Sequence, residues 1–71
     1  MRARIRLDTL GDIKAFISTV APVTENITLE DNDGHCVSAK SLMGAIYSME
    51  WDAIYCNCDK DITTLIMNWV I

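Results

Sequence analysis

Several features that would identify a familiar class of protein are missing from this 71-residue chain. No apolar run approaches the ~20 residues that a membrane-spanning helix needs, and no leader with an apolar middle and a cleavage site is present. There is no glycine-rich nucleotide loop and no Ser-His-Asp set. Histidine occurs once, at His35, which leaves acid–base catalysis without its usual groups. We therefore expect neither an enzyme nor a membrane protein.

Cysteine is scarce and odd in number, with Cys36, Cys56 and Cys58 as its only occurrences. An odd count without a secretion signal favours free thiols in a reducing, cytoplasmic setting. The Cys56-x-Cys58 pair lacks the spacing of a zinc site, because the only further His or Cys donors, His35 and Cys36, are adjacent to each other. In a strand, Cys56 and Cys58 would face the same side. We expect them to be small buried side chains, with no metal and no cofactor.

The chain is acidic, with a net charge of −4, which argues against nucleic acid as a partner. Basic residues are nevertheless concentrated near the start of the chain, where Arg2, Arg4, Arg6 and Lys14 lie. Two interpretations are open. The basic residues form either a patch that suits an acidic protein partner or the solvated face of a strand.

The first third of the sequence predicts a strand followed by a helix. Residues 1–7, MRARIRL, alternate charged and apolar side chains, which is typical of a half-buried strand. Asp8 or Thr9 can cap a helix that ends before Pro22. The helix has one apolar face at three- and four-residue steps. That face consists of Leu10, Ile13, Phe16, Ile17 and Val20.

A β-hairpin is predicted next. Apolar and polar side chains alternate over residues 26–30, and the run DNDG at 31–34 is rich in turn formers. A short returning strand over 35–38 would bury Cys36 or Val37. The acidic turn lacks the length and the terminal glutamate of an EF-hand, so we predict no metal site there.

Ser41 precedes an apolar stripe with helical spacing, which predicts a short helix with Ser41 as its N-cap. A strand over 51–58 and a last helix capped by Asp59 or Asp61 complete the order β-α-β-β-α-β-α. The short helix would bury Leu42, Ala45, Ile46 and Met49, and the last helix would bury Ile62, Leu65, Ile66, Trp69 and Val70. We expect one α+β domain over 1–71. It would be an open-faced β-sandwich, with a four-stranded antiparallel sheet covered on one face by three helices.

The run VSAKSLMG, residues 37–44, matches a motif of the type V-x-x-K-S-[IL]-[ML]-G that opens a short helix. With this element order, the chain resembles HPr, the small phosphocarrier of the bacterial sugar phosphotransferase system, over most of its length. The resemblance implies a single HPr-like domain and protein partners. Those partners would be phosphotransferase-system enzymes, a serine kinase or a transcriptional regulator. It implies no membrane contact, and the oligomeric state stays open.

The resemblance fails at the histidine that defines HPr. That family carries its phosphoryl group on a histidine in a G-[IL]-H-A-R-P motif at the start of the first helix. Here Thr9 or Ile13 occupies that position, depending on the alignment, and no arginine follows either. We therefore expect a variant that does not carry phosphate on histidine and acts in regulation or protein interaction. The alternatives are a phosphocarrier with another acceptor and a structural or assembly module of unrelated ancestry.

Ser41 matches the serine that a dedicated kinase phosphorylates in Gram-positive relatives. A phosphate of charge about −2 would lie beside the free amides at the helix start. Ser41 is therefore either a regulatory phosphorylation site or only a helix cap. The same helix is a docking surface in the family, which makes Met43, Gly44 and Tyr47 partner-binding candidates. For Met43 and Tyr47, packing at the edge of the core is the alternative.

Overall fold

The computed structural model describes residues 1–71 and contains one antiparallel sheet of four strands. The elements in chain order are β1 (Arg2–Ile5), α1 (Leu10–Val20), β2 (Ile27–Glu30), β3 (Cys36–Ser38), α2 (Leu42–Ser48) and β4 (Ile54–Cys58). The strands lie side by side in the order β1-β4-β2-β3, and every neighbouring pair is antiparallel. The predicted α+β class and the four-stranded antiparallel sheet are confirmed.

Helix α1 begins at a capping box. The Thr9 hydroxyl accepts a hydrogen bond from the Asp12 amide at 3.0 Å, and the Asp12 carboxylate accepts one from the Thr9 amide at 3.2 Å. The helix ends at Val20. Pro22 lies two residues later and has no amide hydrogen to donate to a further helical hydrogen bond. Its buried residues are Ile13, Phe16 and Val20. Leu10, which we predicted to be buried, is exposed because it lies in the first turn, beyond the edge of the sheet-facing stripe.

One face of the sheet supplies the core, which it shares with α1. Ile5, Leu29 and Cys56 come from three different strands and join the buried side chains of α1 in one apolar cluster. Cys56 and Cys58 are both buried, as predicted, and neither forms a disulfide. On the opposite face, the side chains of β1 and β4 are exposed or half-buried, including the β1 arginines. Alternation along each strand therefore separates a dry face from a wet one.

The β2–β3 hairpin closes through a turn that Gly34 makes possible. Its φ of 90° lies in the left-handed region, which glycine adopts without a steric penalty. The Asp31 amide donates to the His35 carbonyl at 3.1 Å, and the strands then pair from Glu30 and Cys36 onward. Strand β3 is thus one residue shorter than predicted. Cys36 is exposed, and the half-buried partner of the core is Val37 instead.

The prediction of a last helix is wrong: α1 and α2 are the only α-helices, and a three-helix layer is not formed. Residues 63–66 form a turn, Met67–Trp69 form a single 3-10 turn, and Val70 makes an antiparallel bridge to Ile5. The apolar spacing was helical, yet Leu65 and Met67 are exposed while Ile66 is buried.

The physical reason lies in the outer edge of β1. An unpaired strand edge leaves amide and carbonyl groups without partners. The end of the chain supplies them: the Arg6 amide donates to the Trp69 carbonyl at 2.8 Å, and the Ile71 amide donates to the Arg4 carbonyl at 3.0 Å. Trp69 also packs edge-to-face against Phe16, with ring centroids 5.3 Å apart. Neither α-helix is long and apolar enough to cross a bilayer.

Candidate functional site: the second helix and the hairpin turn

The start of α1, where the HPr family places its histidine, is not built to hold a phosphate. The Thr9 hydroxyl is engaged as the helix cap, and Ile13 is fully buried in the core. The Asp12 carboxylate accepts hydrogen bonds from the amides of Asp8 and Thr9. A helix start attracts anions, but this one already has an anion of its own, which would repel a phosphate.

Ser41 caps α2, as predicted. Its side-chain oxygen accepts a hydrogen bond from the Gly44 amide at 3.2 Å, and its carbonyl accepts one from the Ala45 amide at 2.9 Å. The residue is exposed, so its hydroxyl is reachable from solvent. In contrast to α1, the first turn of α2 carries no acidic side chain. A negative group on Ser41 would therefore meet no neighbouring carboxylate in this turn.

Two further residues of the motif hold α2 in place. The Lys40 ammonium donates a hydrogen bond to the Val23 carbonyl, which ties the loop before α2 to the loop after α1. Gly44 lies where α2 comes closest to β3. A Cβ added there would be 3.1 Å from Val37 Cβ and 3.2 Å from the Ser38 carbonyl oxygen. Gly44, one of our partner-binding candidates, thus permits close packing of α2 on the sheet.

Large apolar side chains on α2 point away from the core. The exposed fractions are 47% for Leu42, 83% for Met43, 43% for Ile46 and 52% for Tyr47. We predicted that Leu42 and Ile46 would be buried, and this is wrong. The buried residues of α2 are the small ones, Ala45 and Ser48, because only small side chains fit between α2 and its closely packed neighbours. The buried Ser48 hydroxyl is satisfied by the Ala45 carbonyl at 2.6 Å.

A carboxylate–imidazole pair organises the hairpin turn beside this helix. Asp31 is largely buried, and its Oδ1 accepts hydrogen bonds from the amides of Asp33 and His35 at 2.9 and 2.8 Å. Its Oδ2 lies 2.7 Å from His35 Nδ1. Desolvation raises the pKa of the Asp31 carboxyl. The hydrogen bonds from His35 and Asp33 together lower this pKa by more than desolvation raises it, so it lies below its ordinary value. The pair holds the imidazole ring at a fixed angle.

Aromatic rings connect this pair to α2. The His35 ring stacks on Trp51, with centroids 6.4 Å apart, and Trp51 meets Tyr47 edge-to-face at 5.9 Å. We predicted Trp51 as the start of a strand, but β4 begins only at Ile54. Trp51 instead lies in the turn after α2. No pattern in the sequence indicated the contact between Trp51 and His35. The i, i+4 spacing of Asp31 and His35 across a turn, in contrast, could have suggested the contact between those two residues.

These residues form the walls of an open cleft of about 260 Å³, here named the acidic cleft. Its carboxylates are Asp31, Asp33, Glu50 and Asp52, and its other lining residues are His35, Tyr47 and Trp51.

Donor atoms of Asp31, Asp33 and His35 lie within 4.8 Å of one another, which is close enough to share a metal ion. Two of the three residues are already engaged with each other, since Asp31 Oδ2 faces His35 Nδ1. The other Asp31 oxygen accepts two backbone amides. These contacts are those of a carboxylate that shapes a turn.

The predicted basic patch is exposed but partly neutralised. Arg2 forms an ion pair with Glu30, and its guanidinium lies 4.3 Å from the centre of the Tyr55 ring. Arg6 lies 3.7 Å from the Asp8 carboxylate. Arg4 and the other arginines of the first strand are exposed, in agreement with a solvated strand face. The α2 surface and the acidic cleft, rather than this patch, concentrate unpartnered groups.

Neither a scan of protein-family models nor a search of curated protein sequences finds a match to this chain.

Proposed function

We propose that the chain is an HPr-like, non-catalytic protein that binds protein partners through α2 and does not carry phosphate on histidine. The exposed apolar face of α2 is the observation that carries this proposal. Four of the eight large exposed apolar side chains lie on this helix of seven residues. Isolated exposed apolar residues are ordinary, but a contiguous set on one element is typical of an interaction surface.

The sequence resemblance and the start of α1 support the rest of the proposal. The motif over 37–44 leads into a helix capped by Ser41, as the family pattern would require. The engaged Thr9, the buried Ile13 and the carboxylate of Asp12 leave the start of α1 without an acceptor or an anion site. We further propose one HPr-like domain over 1–71 with an open-faced β-sandwich architecture and a cytoplasmic role.

Ser41 is the proposed switch. Ser41 is exposed and lies two residues before Met43, the most exposed of the large apolar side chains. Phosphorylation would add about two negative charges beside the binding face. The change would alter which partner binds without disturbing the core. Partners proposed by resemblance are phosphotransferase-system enzymes, a serine kinase and a transcriptional regulator.

Two labelling experiments test the proposal. Incubation with enzyme I and phosphoenolpyruvate is expected to leave the chain unlabelled, and acid-labile label would contradict it. Incubation with the family's serine kinase and ATP is expected to label the wild type and the control variant Ser38→Ala, but not Ser41→Ala. Ser38 is a suitable control because it is also exposed and lies three residues away. Equal labelling of all three proteins would remove the switch.

A working phosphocarrier remains the second candidate, and one observation favours it. His35 is the only imidazole in the chain, and Asp31 orients its ring. The carboxylates of Asp33, Glu50 and Asp52 around it oppose a phosphoryl group. If enzyme I labels the chain, loss of the label in His35→Gln would assign the acceptor and replace our first proposal with this one.

A further inference from the structure

The apolar face of α2 continues without a break into the acidic cleft. Leu42 and Ile46 form one i, i+4 row along the helix, and Met43 and Tyr47 form the next. Tyr47 belongs to both surfaces, because it is exposed on α2 and also lines the cleft. A segment that covers the row of Met43 and Tyr47 therefore reaches the carboxylates of the cleft.

The charge of the cleft is one-sided. Four of the ten acidic residues of the chain line it, and none of the six lysines and arginines does. Asp31 is satisfied within the turn. Glu50 and Asp52, in contrast, are exposed, and neither forms an ion pair. These two carboxylates form the rim of the acidic cleft, which would repel an acidic partner and attract a basic one.

The aromatic walls select the kind of cation. Trp51 and Tyr47 place electron-rich rings next to the carboxylates, and the His35 ring covers one face of Trp51. A guanidinium stacks on such rings and forms two parallel hydrogen bonds to a carboxylate, so arginine uses both features at once.

We infer that α2 and the acidic cleft together bind a basic amphipathic segment of a partner protein, whose apolar side chains cover α2 and whose arginine enters the cleft. This inference rests on the proposed interaction role of α2 and adds the chemical class of the partner. Charge complementarity carries it, since the apolar rows alone would accept a neutral or an acidic segment equally well.

Binding of three capped peptides of equal length and equal leucine content tests this inference. Their polar positions carry arginine, glutamine or glutamate. Binding is followed by amide chemical shifts and by the indole signals of the two tryptophans. Trp51 lines the cleft, whereas Trp69 packs on Phe16 in the core and reports a general change of fold.

The arginine peptide is expected to shift the α2 amides and the Trp51 indole, and to bind at least about tenfold more tightly than the glutamate peptide. Raising the salt concentration from about 0.1 M to about 1 M should remove most of this difference by screening. Glu50→Gln/Asp52→Asn should weaken the arginine peptide about tenfold, because each rim charge contributes roughly threefold.

Matched variants separate the charge from the apolar face. Glu25→Gln/Asp59→Asn makes the same change in net charge away from the cleft, so it should bind the arginine peptide like the wild type. Met43→Gln should weaken all three peptides. Four of these positions are exposed, whereas Glu25 is half-buried and accepts a hydrogen bond from Thr24. Met43 on α2 is not part of the core cluster.

Four results would overturn the inference. Equal binding of all three peptides on α2 would refute the basic partner but leave α2 as an interaction surface. No shift on α2 with any peptide would refute the inference, whereas the labelling experiments decide the proposed function separately. A dimer that dissociates in Glu50→Gln/Asp52→Asn would assign the cleft to a second copy of this chain. The same shifts with micromolar calcium chloride would assign it to a divalent cation.

Discussion

Gly44 and Gly11 are both in the first turn of a helix, yet replacing each by alanine should change stability in opposite directions. Alanine is favoured over glycine in helices by up to about 1 kcal/mol, and this gain is available at both positions. The space around the added methyl group differs. At Gly11 the nearest atom, Thr9 Oγ1, is 3.6 Å away, which is an ordinary contact.

At Gly44 the added Cβ would be 3.1 Å from Val37 Cβ and 3.2 Å from the Ser38 carbonyl oxygen. One of these neighbours belongs to the backbone of a paired strand, so it cannot rotate away. The helix or the strand must move by a few tenths of an ångström, and overpacking of this kind typically costs about 1–3 kcal/mol. We expect Gly44→Ala to be destabilised by about 1 kcal/mol net and Gly11→Ala to be stabilised by up to about 1 kcal/mol.

Urea unfolding followed by tryptophan fluorescence measures both variants. The two midpoints should lie on opposite sides of the wild-type midpoint, with unchanged slopes. Equal stabilisation of the two variants would refute the assigned close approach of α2 to β3. An altered slope in Gly44→Ala alone would mean that the denatured or native state has changed in compactness.

Three further outcomes follow from caps and titrating groups. Ser41→Ala should lower the free energy of unfolding by about 1 kcal/mol through loss of the α2 cap, whereas Ser18→Ala on exposed α1 surface should not. Burial, with a smaller contribution from Cys58, raises the pKa of Cys56 from 9.0 to about 11. The folded chain then keeps a proton that the unfolded chain releases, so the free energy of unfolding should fall by about 2 kcal/mol from pH 9 to 11. Urea titrations of Cys56→Ala should lack this slope. The pKa of Asp31 is lowered from 3.8, so its stabilisation is complete above that pH and is lost below it; acid unfolding of Asp31→Asn should lack this component.

Local signals in the sequence predicted the starts of α1 and α2 and the order of the four strands correctly, although β1 and β4 are shorter than predicted. Thr9 and Ser41 cap their helices through contacts within three residues, which depend on nothing distant in the chain. The alternation around Cys56 likewise identified the buried face of β4. Every second residue of a strand lies on the same face, and only one face of this sheet is covered, so the apolar set must be the buried one.

The misassigned last helix shows where local signals end. Ile62, Ile66 and Val70 have helical spacing, but Val70 forms a bridge to Ile5 at the edge of β1, and residues 69 and 71 form hydrogen bonds to the same end of the chain. Pairing with the end of the chain gives hydrogen-bond partners to amide and carbonyl groups at the outer edge of β1, which a last helix would have left without partners. The spacing of apolar residues cannot reveal that pairing with a strand at the other end of the chain is favoured over a local helix.

The exposure of Leu42 and Ile46 on α2 was missed for a different reason. We predicted that the i, i+3, i+4, i+7 stripe of Leu42, Ala45, Ile46 and Met49 faces the core, with Met43 and Tyr47 beside it. Instead, α2 packs closely on β3 at Gly44, and its buried residues are the small Ala45 and Ser48. The contact of His35 with Trp51 was beyond prediction for a related reason, because it depends on where α2 ends in space.

The two helix starts differ in how they would receive a phosphate. At α1 the first-turn carboxylate of Asp12 occupies the position that an anion would take. At α2 the first turn has no carboxylate, and Ser41 is its only side-chain cap. A phosphate is therefore opposed at the first start and tolerated at the second. In the HPr-like protein that we propose, the absence of the family's histidine and arginine concerns the start of α1 alone, and the apolar rows of α2 do not depend on it.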